Sequence, residues 1–296
     1  MTKTLAVGAT GEVGREVVRA LRERDAGVRC LVRKARNLGT EETIGDLTDR
    51  ASLDRALAGC DSAVFITPHH EDEAQLGYNF VDACEAAKLR RIVFISAFHP
   101  TFRSLRTQRV VDALVGLIGP HYRAKLAVER RVRATSMSPV ILNPTNFFQN
   151  DEIGFPEISA GVYPHPLGEK PACRIDCRDI GDAAARAIVD DVRAGNYALV
   201  SVGTWTGASC AALWAEALGK DVRYAGNDVE PWRKTIGARM DAARAADFAR
   251  TYKVIQRFGI PANARALARS EKILGRPPRD YRSYVTEQAA QLRGAA

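Results

Sequence analysis

A short apolar segment, Thr4–Val7, runs straight into Gly8-Ala9-Thr10-Gly11-Glu12-Val13-Gly14, and Glu12–Arg24 follows with Val13, Val17, Val18 and Leu21 at helical spacing. Glycines three apart between a strand and an amphipathic helix suit very few arrangements. Gly8 allows a tight bend, Gly11 lets another group approach the backbone, and Gly14 lets the helix pack closely on the strand. The helix start then offers unpaired N–H groups and a positive dipole end. These features predict a turn that holds a diphosphate, with Gly8, Thr10, Gly11, Glu12 and Val13 around it.

The pattern continues as a βα alternation. Val28–Val32 reads as a second buried strand and Glu42–Ile44 as a short third. Ser52–Leu57 begins a helix capped by Asp49, Ala63–Ile66 is a fourth strand, and Glu73–Ala87 is a helix with Leu76, Phe80, Val81 and Cys84 on one side. Ile92–Ile95 is a fifth strand. His99–Arg109 is polar and basic and reads as a loop. Gly119-Pro120 opens a helix running to about Thr135, with Pro120 suited to its first turn. Pro139–Leu142 is a sixth strand, Asn143–Pro171 is irregular, Asp179–Asp191 is a helix capped by Asp179, and Ala198–Val202 is a further strand. The remainder is mainly helical: Ala208–Gly219, Val229–Gly237, Asp241–Phe258 and a last stretch from Asp280. Short apolar strands separated by helices imply a parallel sheet covered on both faces. The expected fold is α/β, a Rossmann-type doubly wound parallel sheet with a smaller, mostly helical C-terminal substrate region. We expect residues 1–150 to form the dinucleotide-binding core and 151–296 the substrate-binding cap, with 172–202 returning to the core. The cap is expected over the open end of the sheet, where ligands bind in such folds.

The end of the second strand selects the dinucleotide. A fold that takes NAD places Asp or Glu there for the ribose 2′-hydroxyl. This chain has Leu31-Val32-Arg33-Lys34 and no acid until Glu41. Arg33 and Lys34 can pair with a 2′-phosphate, so NADP(H) is expected over NAD(H).

The formal net charge is +8, but Lys and Arg are spread along the chain beside Asp and Glu, as on a solvated surface. No basic recognition helix or zinc signature points to nucleic acid. The six cysteines form no C-x-x-C pair and no H-x-H or H-E-x-x-H spacing occurs, so no metal is expected. No apolar run approaches the ~20 residues of a membrane helix, and scattered thiols suit a reducing compartment. The expectation is a cytoplasmic protein whose partner is a small-molecule substrate, without nucleic acid or membrane; a homodimer is compatible with it.

Several stretches, in order, resemble the NmrA-like family of atypical short-chain dehydrogenases/reductases. Gly8–Gly14 is similar to its G-A-T-G-x-x-G. Gly45-Asp46-Leu47 matches its G-D-L, which implies Asp46 and Leu47 near the adenine. Ile95-Ser96-Ala97 is similar to the step ending its fifth strand, and His121-Tyr122-Arg123-Ala124-Lys125 with Glu129 to its H-x-x-x-K-x-x-x-E helix. Leu142–Asn150 resembles L-R-P-x-x-F-x-x-N, and Asp176–Gly181 resembles D-x-R-D-I-G/A. The likeness covers about the first 190 residues. It implies cofactor contacts from Thr67, Pro68, Ser96, Lys125, Asn143 and Asn146, and substrate contacts from His99, Phe147 and Phe148.

Ordinary short-chain dehydrogenases carry Y-x-x-x-K, in which Tyr moves the proton and Lys holds the ribose. Here the first position is His121, and Tyr122 is three residues before Lys125 rather than four. Lys125 can still stabilise an oxyanion formed as hydride arrives, or form a surface ion pair with Glu129 one turn on. His121 can donate a proton near neutral pH. Catalysis is therefore expected from Lys125 and His121. The expected activity is an NADPH-dependent reduction of a small carbonyl, quinone, imine or activated C=C. The alternative is a non-catalytic NADP(H)-binding redox sensor. Absence of Y-x-x-x-K weighs against an epimerase or dehydratase.

Overall fold

The opening apolar segment forms β1 (Lys3–Val7), buried from Thr4 onward, and the glycine turn delivers the chain into α1 (Glu12–Arg22). In the computed structural model the described residues are 3–68, 70–99, 105–118, 122–190, 192–261 and 263–294. After α1 come β2 (Gly27–Val32), β3 (Glu41–Ile44), α2 (Arg50–Leu57), β4 (Ser62–Ile66), α3 (Glu73–Ala86) and β5 (Arg91–Ile95). Asp49 caps α2 by accepting the Ala51 N–H at 3.0 Å, as its sequence position suggests. Next are α4 (Leu105–Ile118), α5 (Arg123–Arg133), β6 (Val140–Pro144), β7 (Asn146–Phe147), α6 (Phe155–Ser159), β8 (Val162–Tyr163) and β9 (Arg174–Ile175). Then follow α7 (Cys177–Val189), β10 (Gly195–Leu199), α8 (Gly207–Leu218), β11 (Arg223–Tyr224), α9 (Val229–Thr235), α10 (Ala242–Phe258), α11 (Ala264–Leu274) and α12 (Tyr281–Gly294).

Seven strands form one sheet in the order β10-β6-β5-β4-β1-β2-β3. Every pairing within it is parallel. This is the doubly wound order, reversing direction between β1 and β4. The chain divides into two compact units. The first comprises Met1–Pro144, Cys177–Leu199 and Arg269–Arg276; the second comprises Thr145–Asp176, Val200–Ala268 and Pro277–Ala296.

The core of the first unit is built from near-continuous apolar strands, as parallel sheets require. Leu5, Phe65, Phe94 and Ile141 pack with Phe80 and Val81 of α3 and Val128 of α5. The second unit has its own aromatic core, in which Phe148, Trp214, Trp232, Tyr252, Tyr281 and Tyr284 are buried together. At its centre the fully buried Asp151 accepts from Arg174 (2.8 Å), Tyr163 (3.0 Å), Trp214 (3.1 Å) and Tyr281. A buried carboxylate is tolerable only with such a shell of donors.

Several elements differ from the sequence expectation. The polar stretch expected as a loop enters α4 at Leu105. Its apolar residues do not make one inward stripe: Val110, Leu114 and Leu117 are exposed. The following helix, α5, spans Arg123–Arg133; Pro120, expected in its first turn, lies outside the described residues. Helix α7 starts at Cys177, so Asp179 lies in the first turn, fully buried and paired with Arg276 at 2.7 Å. A distant guanidinium, not an N-cap geometry, fixes that carboxylate. Strand β10 begins at Gly195 rather than Ala198, because Asn196 joins the sheet while its side chain bonds Glu129 and Asn143. Helix α11 had no counterpart in the sequence reading.

Candidate functional site

The three glycines of the first turn play different parts. Gly8 has φ +86°, which side-chain-bearing residues rarely adopt. A Cβ on Gly14 would sit 2.0 Å from the Gly8 carbonyl oxygen, so helix and turn meet only because that atom is absent. Gly11 is different. It is the N-cap of α1 at φ −79°, ψ 170°, with no side-chain cap, and a Cβ there would meet nothing nearer than the Gly8 oxygen at 3.5 Å. Neither backbone nor packing requires glycine at that position. What Gly11 keeps clear is the space beyond the start of α1, and that cradle fits a diphosphate approaching main-chain amides. Thr10 is exposed, Glu12 is half-buried, and Val13 is buried beneath the turn.

At the end of β2, Arg33 and Lys34 are exposed. The first carboxylates after them are occupied. Glu41 pairs with Arg29 (2.6 Å) and Lys3 (2.9 Å), while Glu42 accepts the N–H groups of Arg36 (2.8 Å) and Leu38 (2.6 Å). No acid is therefore offered to a ribose 2′-hydroxyl from this loop. Asp46 accepts from the Thr48 N–H (2.9 Å) and hydroxyl (2.7 Å). These bonds, with the Arg33 charge, hold its carboxyl below the usual range. Leu47 packs at the edge of the core, and its carbonyl accepts from Asn79 at 3.1 Å.

The register aligns the carboxyl ends of the strands. Ile66 of β4 lies opposite Ile95 of β5, and Ile95 opposite Leu142 of β6, so Thr67, Ser96 and Asn143 form a row one residue beyond. Pro68 follows, half-buried. Helix α5 lies over this row with two residues one turn apart. Lys125 Nζ donates to Thr67 Oγ1 and lies 2.9 Å from Glu73 Oε1 at the start of α3. Glu129, 1% exposed, accepts at Oε2 from Ser96 Oγ (2.5 Å) and Asn143 (3.2 Å) and meets His99 Nε2 at 2.9 Å. Its Oε1 accepts from Arg133 and from Asn196 (3.0 Å). Burial alone would raise the Glu129 carboxyl, but the bond and charge of His99, then Ser96 and Arg133, take it down to about 2. The surface Lys125–Glu129 pair is thus replaced by two separate inward contacts.

The structure brings Thr67, Lys125, Ser96, His99 and Asn143 together. Asn143 is fully buried, its amide spent on Glu129 and the Ala97 carbonyl (3.1 Å). Asn146, Phe147 and Phe148 belong to the second unit. There Asn146 Oδ1 accepts from Arg174 at 3.0 Å, as does the Phe147 carbonyl at 2.6 Å, and the Phe148 ring is fully buried beside Tyr281 and Tyr284. His121 lies outside the described residues. The sequence reading missed Glu73 and Asn196 and gave Glu129 only a surface pairing; the one available signal was that Glu129 shares a helix face with Lys125. No group of three or more His, Cys, Asp and Glu side chains that could hold a metal occurs among the described residues. No helix among them is long and apolar enough to cross a membrane.

The chain is 30% identical over 298 residues to the (4-alkanoyl-5-oxo-2,5-dihydrofuran-3-yl)methyl phosphate reductase of Streptomyces griseus, covering 96% of this chain and 97% of that one. It is 28% identical over 304 residues to the NAD(P)H azoreductase of Xenophilus azovorans, covering 99% of each. Its fold matches the NADPH-dependent quinone oxidoreductase of Escherichia coli solved with NADPH, at a TM-score of 0.78 and 20% identity, over 98% of this chain and 99% of that one. The profile of the NmrA-like family matches residues 1–274, and the chain belongs to that family.

Proposed function

We propose that this protein is an NADPH-dependent reductase that delivers hydride to a small carbonyl, quinone, imine or activated C=C. One observation carries the reading: Lys125, largely buried, is fixed at the carboxyl end of β4, next to the strand whose end carries the glycine turn. The nicotinamide cofactor supplies the hydride when bound. Gly8, Thr10, Gly11, Glu12 and Val13 hold its diphosphate, and Arg33 and Lys34 its 2′-phosphate. Asp46 and Leu47 border the adenine, and Thr67, Pro68, Ser96, Asn143 and Asn146 serve the nicotinamide half. The Lys125 ammonium orients the ribose and stabilises negative charge on the accepting atom. His99 and Phe147 face the substrate, while Phe148, fully buried beside Tyr281 and Tyr284, serves the core. The reductase activities of the two full-length relatives support a reductase over a cofactor sensor. The setting is read as cytoplasmic and the partner as a small molecule, not nucleic acid; a homodimer is compatible with this.

The test is to follow loss of reduced-nicotinamide absorbance with NADPH and a panel of quinones, enones and imines. Oxidation that disappears in Lys125→Ala supports the reductase. Tight NADPH binding with no acceptor reduced overturns it in favour of the sensor.

A further inference from the structure

Hydride reduction leaves an acceptor short of one proton, and Tyr is absent from the position four residues before Lys125. The residues over the strand ends supply another route. We propose that Ser96, Glu129 and His99 form a proton relay, in which Ser96 protonates the reduced acceptor and His99 restores that proton through Glu129. This rests on the reductase reading above.

The geometry is specific. Glu129 Oε2 is touched by both Ser96 Oγ (2.5 Å) and His99 Nε2 (2.9 Å), so a single oxygen links the two. All three groups are buried, His99 at 4% and Ser96 at 6% exposure, and the carboxylate is held by Arg133, Asn143 and Asn196 from α5, β6 and β10. Among the described residues, charged groups in contact with the pair include Glu129 itself and Arg133, with Lys125 one turn along the same helix. Such a network is costly to bury unless every member is bonded. A structural anchor for α5 would need only the contacts of Glu129 with Asn143 of β6 and Asn196 of β10. Adding a histidine to the oxygen that already holds the strand-end serine joins a titratable group to a hydroxyl at the edge where ligands bind.

The balance is simple. One atom of the acceptor gains hydride, two electrons and one hydrogen, from the nicotinamide cofactor, and the other is left anionic. The Ser96 O–H bond breaks and a new bond to that anionic atom forms. Ser96 Oγ takes a proton from Glu129 Oε2, which receives it from His99 Nε2–H. The imidazolium ends as neutral imidazole and is reprotonated from solvent. To reach the acceptor, the Ser96 hydroxyl turns its hydrogen away from Glu129. Of the three relay groups, Ser96 gives its proton to the acceptor; Glu129 and His99 act through it as positioning and supply residues.

The experiment compares His99→Gln and Glu129→Gln with the parent protein. Parent turnover should fall as pH rises through the His99 titration, and that limb should vanish in His99→Gln, whose kcat drops about 100-fold while the Kd for NADPH stays within twofold. A separate readout needs no turnover: nitrogen-15 NMR of the imidazole should show His99 as an imidazolium at pH 6.5 in the parent and as neutral in Glu129→Gln. Unchanged kcat and pH profile in His99→Gln overturn the relay, as does a neutral His99 in the parent at pH 6.5. If no acceptor is reduced, the reductase reading fails, and the imidazole spectrum still decides whether His99 holds the proton. Should Glu129→Gln fail to fold, His99→Gln and the parent spectrum carry the test.

Discussion

Lys125 Nζ lies 2.9 Å from Glu73 Oε1, joining α5 to the first residue of α3 beside the end of β4. Both side chains are largely buried, at 16% and 9% exposure. The pair keeps the ammonium at the strand ends and turned away from solvent. Replacing Lys125 by Met should lower kcat about 100-fold through lost charge stabilisation and leave Glu73 a buried, uncompensated carboxylate. Steady-state rates and urea unfolding of the variant measure both effects, and Glu73→Gln with Lys125→Met should recover stability but not rate.

The glycines of the first turn should separate folding from binding. Gly14→Ala forces a carbon into the Gly8 carbonyl and should cost about 3 kcal/mol or more. Gly11→Val should change stability by less than about 1 kcal/mol yet weaken NADPH at least tenfold. Thermal melts and titration calorimetry distinguish the two; equal losses of stability would show that Gly11 serves packing after all.

Removing the basic pair after β2 should change cofactor choice. Arg33→Ser with Lys34→Ser loses charged hydrogen bonds worth about 2 kcal/mol, roughly 30-fold in NADPH affinity, with little change for NADH. The ratio of kcat/KM for the two cofactors reports it.

Two buried groups set the acid response. Burial, with Arg174 opposing Asp151, lowers His165 from 6.5 to about 4. The unfolded chain therefore binds a proton first, and stability present above pH 6.5 declines as pH falls towards 4, by about 3 kcal/mol. Glu129 is held at about 2 against an ordinary 4.5. Its contribution, again about 3 kcal/mol, is complete above pH 4.5 and is lost as pH falls towards 2. Denaturant unfolding at pH 7, 5 and 4 should show the first decline, and His165→Asn should flatten it.

Legibility followed the range of the interactions. The glycine turn and the α2 cap were readable because each is set by residues a few positions apart. The parallel sheet covered on both faces followed from the alternation of strands with helices. The Asp151–Arg174 pair, the Arg276 contact with Asp179 and the bonding of Asn196 to Glu129 join residues far apart in the chain, and nothing local marks them. Glu73 fell at a helix start, where an acid is ordinary, so its tie to Lys125 could not be distinguished from a dipole preference. Helix α4 escaped detection because three of its apolar side chains face outward.

The first unit is assembled from three separate stretches of chain, and this bears on how it can be made. A nascent chain released as far as Pro144 carries six of the seven sheet strands but leaves β6 as a bare edge until β10 emerges. Even then α7 awaits Arg276, whose guanidinium joins Asp182 (2.5 Å), the residue that Arg19 of α1 already holds at 3.0 Å. The first helix of the unit is thus joined, through Asp182, to a residue of the unit's last stretch. Vectorial synthesis must hold this unit incomplete, and exposed to chaperones and proteases, until its third stretch has been made.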